Sequence, residues 1–256
     1  MKTLFKWFLK HVPRPWLLRA SNWLRPFLDV FYRGHEHIDP INGKSYRTFL
    51  PYGYGKSRPN VLSPGTLSLE RHRLLWVYLQ RETDFFSKTA KVLHLAPEQA
   101  FMGRFQKLKH LDYTTADLES PLAKVKADIC NLPFDNNTFD WILCNHVLEH
   151  IEDDHKAMSE LFRVLKPGGK AILQVPLDAQ RLKTYEDFNI QDPQERTRIF
   201  GQYDHVRIYG LDYLDRLQAV GFEAALIPYA EQLTPEERHV YRIPQNEQIP
   251  TAVKPR

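Results

Sequence analysis

The stretch from Phe139 to Pro176 constrains the fold more than any other part of this 256-residue chain. It opens with Phe139-Asp140-Trp141-Ile142-Leu143-Cys144, an apolar run of strand length that suits burial on both faces, as in a parallel sheet. A polar strand end follows, from Asn145 and His146 through Val147, Leu148, Glu149 and His150. Met158, Leu161, Phe162 and Leu165 then recur at helical spacing, and Pro167-Gly168-Gly169 predicts an abrupt helix stop. Ala171 to Val175 resumes as strand.

The alternation extends in both directions. Strands are predicted at 91–96, 111–116, 124–128, 139–144, 170–176 and 222–228, with a last one near 248–253. Between them lie gaps long enough for crossover helices. A helix is predicted over 69–88 on Leu69, Leu74, Leu75, Tyr78 and Leu79, and Thr234-Pro235-Glu236-Glu237 is a capping box with proline in the first turn. The pattern gives an α/β fold, a Rossmann-like, doubly wound, mostly parallel sheet. The chain is long enough for one substantial core and a small accessory region.

Charge and cysteine usage bound the setting. Cys130 and Cys144 are the two cysteines; both sit in apolar segments and are expected to be reduced and buried, which points to the cytoplasm. A net charge of +4 does not by itself argue for a nucleic-acid ligand, and no basic stripe with interleaved aromatics accompanies the candidate pocket. The basic charge is concentrated in residues 1–34, where Lys2, Lys6, Lys10, Arg14, Arg19, Arg25 and Arg33 face the single acid Asp29. Leu4, Phe5, Phe8, Leu9 and Val12 share one helical face; Trp16, Ala20, Trp23, Leu24, Phe27 and Phe31 make a second stripe, with Pro15 suited to a first turn. No apolar run reaches the roughly 18 residues that span a bilayer, and Lys6 and Lys10 interrupt any signal-peptide core. Residues 1–34 thus read as a basic amphipathic helical segment with two readings open. It is a peripheral anchor on the inner, anionic face of a membrane, or a cap whose apolar face packs on the protein or a second copy.

The Phe139–Ile151 segment and the Leu165-Lys166-Pro167-Gly168-Gly169 turn together resemble the second half of class I S-adenosylmethionine (SAM)-dependent methyltransferases, of the methyltransferase type 11-like kind. Residues 69–256 would then be the methyltransferase domain, with an insertion at 177–209. Ser68-Leu69-Glu70-Arg71-His72-Arg73-Leu74-Leu75-Trp76 is similar to a segment that follows a small zinc ribbon in related methyltransferases. Where that ribbon has paired Cys-Pro-x-Cys knuckles, this chain has Asp39-Pro40-Ile41-Asn42 and Ser63-Pro64-Gly65-Thr66. A structural zinc needs four good ligands, and His35, His37 and Asp39 do not complete a set. Residues 35–68, with the hairpin signal Asn42-Gly43, are expected to be a metal-free β/turn remnant of the ribbon.

Ligands of open doubly wound sheets sit beyond the carboxyl ends of the strands, where the strand order reverses. After the first strand the chain reads His94-Leu95-Ala96-Pro97-Glu98, without the family's usual acid and glycines but similar to a "H-x-A-P-E" subgroup. SAM carries an ammonium and a sulfonium rather than a pyrophosphate, so Glu98 suits its cationic end; the alternative is that Pro97-Glu98 merely starts a helix. The resemblance extends the cofactor set to His94, Ala96 and Pro97. Asp117, followed by Leu118, stands where a ribose-binding carboxylate belongs, or caps a helix. The resemblance assigns adenine recognition to Asp128 and Ile129, with Cys130 beside them; Asn145 and His146 follow the fourth strand and by the same strand-end geometry are expected beside the sulfonium methyl. His146 and His150 are spaced to stack on one helical face, but as a metal pair they lack a third and fourth ligand, so no metal is expected.

The charged insertion at 177–209 is too long for an idle loop and ends in Tyr203-Asp204-His205-Val206-Arg207. Family resemblance places it over the active site. His205 is the candidate general base, because an unperturbed imidazole takes a proton near neutrality. With His146 and Tyr203 it makes the candidate catalytic set; the alternative is a surface Asp204–His205–Arg207 salt-bridge network. The reaction implied is transfer of the SAM methyl group to an O or N nucleophile on a small-molecule, sugar or lipid-linked substrate. The altered first loop keeps open a non-catalytic binding or adaptor module, and the lack of Gly-x-Gly-x-x-Gly disfavours a nicotinamide-dependent dehydrogenase.

Overall fold

The computed structural model describes the backbone of residues 14–53 and 57–256, with side chains from Trp23 onward. The chain divides into two compact units, Met1–Trp76 with Thr234–Pro244, and Val77–Leu233 with Gln245–Arg256. The predicted stripe from Leu4 to Val12 lies outside the described residues.

In the first unit a helix spans Arg14–Phe31, with Pro26 inside it. Of its apolar side chains, Trp23, Phe27, Val30 and Phe31 are 55–81% exposed. Strands β1 (Arg33–Asp39) and β2 (Lys44–Tyr46) form the predicted hairpin around Gly43, whose φ of 69° is a conformation that glycine adopts without strain. Strands β3 (Leu50–Tyr52) and β4 (Arg58–Leu62) form a second antiparallel pair. The two predicted knuckle positions meet through hydrogen bonds. Fully buried Asp39 accepts from Ser63 Oγ at 2.5 Å, from Thr66 Oγ1, and from Ser68 Oγ at 3.3 Å, while its other oxygen takes Ile41 N at 2.9 Å. Four donors compensate a carboxylate whose burial would otherwise be strongly unfavourable. Arg73, also fully buried, donates to the carbonyls of Val61, Ser68, Tyr241 and Arg242, tying β4 to the capped helix Pro235–Tyr241. Burial lowers its pKa to about 10 despite the nearby Asp39 and Glu70 carboxylates.

The second unit is built on a seven-stranded sheet. Its strands are β5 (Ala90–Leu95), β6 (Leu111–Asp117), β7 (Val125–Lys126), β8 (Phe139–Cys144), β9 (Leu165–Ile172), β12 (Glu223–Ile227) and β13 (Ile249–Val253). Strands β10 (Tyr185–Glu186) and β11 (Arg207–Ile208) pair separately within the insertion. The sheet order is β12-β13-β9-β8-β5-β6-β7, parallel from β9 to β7, with β13 antiparallel to both its neighbours. The chain leaves β5 through β6 and β7, then returns to β8 on the other side. The reversal between β5 and β8 is where such sheets bind ligands. The doubly wound fold read from the sequence is the fold observed.

Burial follows the predicted pattern at the centre. Every residue of β8 except Asp140 is buried, and the helix Asp154–Val164 packs Ala157, Met158, Leu161 and Val164 into the same core. Some boundaries differ from those expected. The helix expected over 69–88 stops at Glu82, and the strand expected over 124–128 pairs only at Val125 and Lys126. Pro167-Gly168-Gly169 is not a turn between helix and strand. Strand β9 begins at Leu165 and runs through it as a bulge, because Gly168 (φ 76°) and Gly169 exchange backbone hydrogen bonds with Lys254. A Cβ on Gly169 would stand 2.8 Å from the Lys166 carbonyl oxygen, so only glycine fits there. Cys144 is buried as expected; Cys130 is only partly so.

Candidate active site

The reversal point carries two strained residues. Ala96, just past β5, has φ 45°, and His146, just past β8, has φ 55°, a left-handed conformation unfavourable for residues with a Cβ. This corrects the expectation that His146 and His150 share a helical face. The left-handed turn at His146 ends the strand, and only Leu148–His150 is helical, as one 3₁₀ turn. The turn is fixed by His146 N donating to Gln174 O at 2.7 Å, across to the end of β9.

Glu98 joins the two strand ends. The helix Gln99–Phe105 does start after Pro97-Glu98, but the Glu98 side chain makes no cap hydrogen bond. One carboxylate oxygen bonds the Nε2 of fully buried His94, and the other accepts from Asn145 Nδ2 at 2.9 Å. His94 Nδ1 is held in turn by Tyr113 OH at 2.7 Å. Around this hub sit buried polar atoms with no partner among the described residues, namely Asn145 Oδ1, Gln174 Oε1 and Gln99 Nε2. Buried groups of this kind are costly unless a ligand or water meets them.

The remaining predicted cofactor residues occupy the adjacent edge. Asp117 ends β6, and its Oδ1 accepts from Glu119 N at 2.8 Å and Ser120 N at 2.7 Å, so it shapes the turn that follows. Leu118 is 54% exposed. Ala127 N donates to Asp117 O, holding the Asp128 segment alongside. Asp128 is exposed and accepts from Cys130 N at 2.8 Å, whereas the Ile129 side chain belongs to the core. Burial raises the Cys130 thiol above its ordinary pKa, so it stays protonated.

On the other side of His146 lies a second cluster. Glu149 is 2% exposed; its Oε1 faces His146 Nδ1 at 3.2 Å, and its Oε2 has no partner among the described residues. Burial pushes its carboxyl up, but the His146 hydrogen bond and the neighbouring imidazoles outweigh this and hold it below the ordinary value. The rings of His150 and His205 stand edge to face, centroids 4.8 Å apart. His205 is buried, which lowers its pKa against the opposing pull of Glu149, and leaves it neutral at pH 7.

The insertion that brings His205 here has secondary structure of its own. Asp192 caps the helix Pro193–Phe200, Gly201 ends it at φ 87°, and β10 pairs with β11. Asp204–His205–Arg207 is not a surface network. Arg207 is 1% exposed and donates to the carbonyls of Leu148, Ile151 and Glu152 and to Glu186 Oε2 at 2.8 Å. Arg216 bridges Glu186 and Asp154 beside it. The insertion is thus clamped onto the 3₁₀ turn, and His205 lines a cavity of about 350 Å³ with Pro176, Phe200 and Arg207. Tyr203, predicted with it, is 47% exposed.

The structure therefore brings together His94, Glu98 and Asn145 by direct bonds, with Ala96 and Pro97 in the connecting turn, and reaches His146 and His205 through Glu149. Gln99, Gln174 and Glu149 were missed as site residues, and Arg207 was read only as a member of the Asp204–His205–Arg207 cluster. Glu149, between two histidines, and Arg207, in that cluster, carried a signal in the sequence; the two glutamines did not.

A model described as a methyltransferase domain matches residues 84–173. The chain is 46% identical over 52 residues to a 2-phytyl-1,4-naphtoquinone methyltransferase of Nostoc punctiforme, a match covering 20% of this chain and 23% of that protein. It is 43% identical over 58 residues to a demethylmenaquinone methyltransferase of Staphylococcus epidermidis, covering 23% of this chain and 24% of the relative. The chain thus spans about a quarter of the length of these relatives. Among solved structures it is similar to a Burkholderia thailandensis 1,6-didemethyltoxoflavin-N1-methyltransferase with bound S-adenosylhomocysteine, with a TM-score of 0.46 and 16% identity over 73% of this chain and 79% of that one.

Proposed function

We propose that this chain, whose residues 84–173 match a model described as a methyltransferase domain, transfers the methyl group of SAM to a nucleophile on a small substrate. The observation that carries this is the set of buried acceptors at the strand reversal. The Glu98 carboxylate and the unpartnered Asn145 Oδ1 and Gln174 Oε1 suit the ammonium and sulfonium of SAM, and Gln99 Nε2 suits its carboxylate. In this reading Asp117, the last residue of β6, takes the ribose, and Asp128, two residues past β7, takes the adenine. The glycines of the usual first loop are replaced by one strained residue, Ala96, and by a charged hub in which Glu98 already has fixed partners.

The acceptor belongs in the His205 cavity, whose volume is that of a small-ligand site. In the reaction the acceptor lone pair attacks the methyl carbon, the C–S bond breaks, and its electron pair goes to sulfur, giving S-adenosylhomocysteine. The acceptor's proton must leave. Positioning supplies most of the acceleration, and proton removal falls to the Glu149–His150–His205 group.

Fluorescence or calorimetric titration with SAM, S-adenosylhomocysteine and NAD tests the reading. Saturable binding of the first two alone is expected, with at least about a tenfold loss of affinity in Asn145→Leu, which removes a polar contact of order 1.4 kcal/mol. An absence of saturable SAM binding refutes it.

A further inference from the structure

Sequence spacing gave His146 and His150 no further metal ligands; the fold instead brings His205 to His150 and its neighbour Glu149. One ligand atom each from Glu149, His150 and His205 lies within 4.8 Å of the other two. Ligands about 2.1 Å from a tetrahedral ion stand about 3.4 Å apart, so a contraction of at most about 1.4 Å would complete a site.

The hydrogen bonds set these groups up as ligands. His205 Nδ1 lies 3.2 Å from Phe200 O, and His150 Nδ1 lies 3.3 Å from Asp204 O. A carbonyl oxygen only accepts, so Nδ1 carries the proton in each ring and Nε2 keeps a lone pair. Metal-binding histidines are oriented in this way. Glu149 Oε1 is held by His146, while Oε2, in a side chain 2% exposed, faces no donor among the described residues. An anionic oxygen buried without a partner is expensive, and a cation is the partner that offsets it. The backbone that carries the cluster is also tied together. Val206 N donates to Glu149 O at 3.0 Å, and the buried Arg207 clamps the 3₁₀ turn from the other side.

We propose that Glu149, His150 and His205 bind a single divalent transition-metal ion, of the zinc or cobalt kind, at the edge of the acceptor cavity. Two imidazoles and one carboxylate favour such ions over magnesium or calcium, which prefer all-oxygen sites. Three protein ligands leave a coordination position, and His205 lines the cavity from which it is filled. Resting on the methyl-transfer reading, the ion takes an acceptor hydroxyl oxygen as its next ligand. The Glu149–His150–His205 group then removes the proton through the ion rather than as a base: the ion lowers the hydroxyl's pKa, and the proton passes to solvent before the oxygen attacks the methyl group. That makes oxygen, rather than nitrogen, the nucleophile. No oxidation or reduction is involved.

The test titrates the untagged, chelator-stripped full chain with Zn²⁺, Co²⁺ and Mg²⁺, alongside a SAM titration on the same samples. One equivalent of zinc is expected, with Co²⁺ giving the visible absorption of a low-coordinate nitrogen–oxygen site. His150→Ala and His205→Ala should each lower zinc affinity by more than about 100-fold, and the positioning variant His146→Ala by about 10–100-fold. Zinc bound equally by a His150→Ala/His205→Ala double variant overturns the proposal, as does Mg²⁺ bound as tightly as zinc. The cobalt spectrum of the unaltered chain does not depend on any variant folding, and its absence is also fatal. SAM bound without zinc removes the metal site and leaves methyl transfer standing; zinc bound without SAM does the reverse.

Discussion

Replacing Arg207 by methionine should unlock the insertion from the active site. The guanidinium is 1% exposed and holds three carbonyls, of Leu148, Ile151 and Glu152, together with Glu186 Oε2 at 2.8 Å. Methionine fills much of the volume but donates nothing, so the carbonyls are left in a dry site at about 1 kcal/mol or more each. Removing one partner of a buried ion pair costs about 3–5 kcal/mol, but Glu186 keeps Arg216 at 2.8 Å and so falls at the lower end or below. These losses overlap, and the combined destabilisation should be about 3–5 kcal/mol. In a domain of this size that lowers the melting temperature by about 6–20 °C. The assay is differential scanning calorimetry with amide hydrogen exchange at residues 148–152 and 205–209, where protection should be lost first. Arg207→Lys, which keeps the charge but not the fork of donors, should recover only part of the loss. A change below about 1 kcal/mol with unaltered exchange would mean that the clamp is an incidental contact.

Stability should also fall on mild acidification. The folded-state pKa of His205 is lowered, so the unfolded chain takes up a proton first as the pH drops below about 6.5, and folding free energy is lost from there downward. Glu149, lowered as well, adds a second loss below about pH 4.5. Urea midpoints at pH 8, 7, 6 and 5 with chelator present should show the first slope in the wild type and a flatter one in His205→Gln; a midpoint constant from pH 7 to 5 rejects this. The exposed Trp23, Phe27 and Phe31 and the basic charge of residues 1–34 suit an anionic lipid surface. Sedimentation with phosphatidylserine vesicles should drop in a Trp23→Ser/Phe27→Ser variant and in a Lys2, Lys6, Lys10→Glu variant, and unchanged sedimentation counts against the lipid surface.

Much of this molecule was legible in its order of residues. Short apolar runs bounded by polar strand ends, with helical spacing between them, gave the doubly wound sheet and the location of Glu98, Asp117, Asp128 and Asn145 at strand ends. These signals are local and are set by side-chain period and strand burial. The Thr234 capping box was read correctly for the same reason: both of its partners lie within one helical turn.

What spacing did not give was every feature fixed by a distant partner. Pro167-Gly168-Gly169 reads as a stop, yet it became a bulged strand once Lys254 supplied its hydrogen bonds. His146 and His150 look like one helical face, but Gln174 O captures the His146 amide and turns the chain. Arg207 reads only as one member of a charged cluster, and it is the fold that surrounds it with Glu186 and three carbonyls. The sequence by itself determined the sheet and which residues stand at its ends, because hydrophobic period acts over a few residues. Only the tertiary structure decided that His205 joins Glu149 and His150, more than 50 positions away, because that meeting depends on a buried clamp and not on spacing.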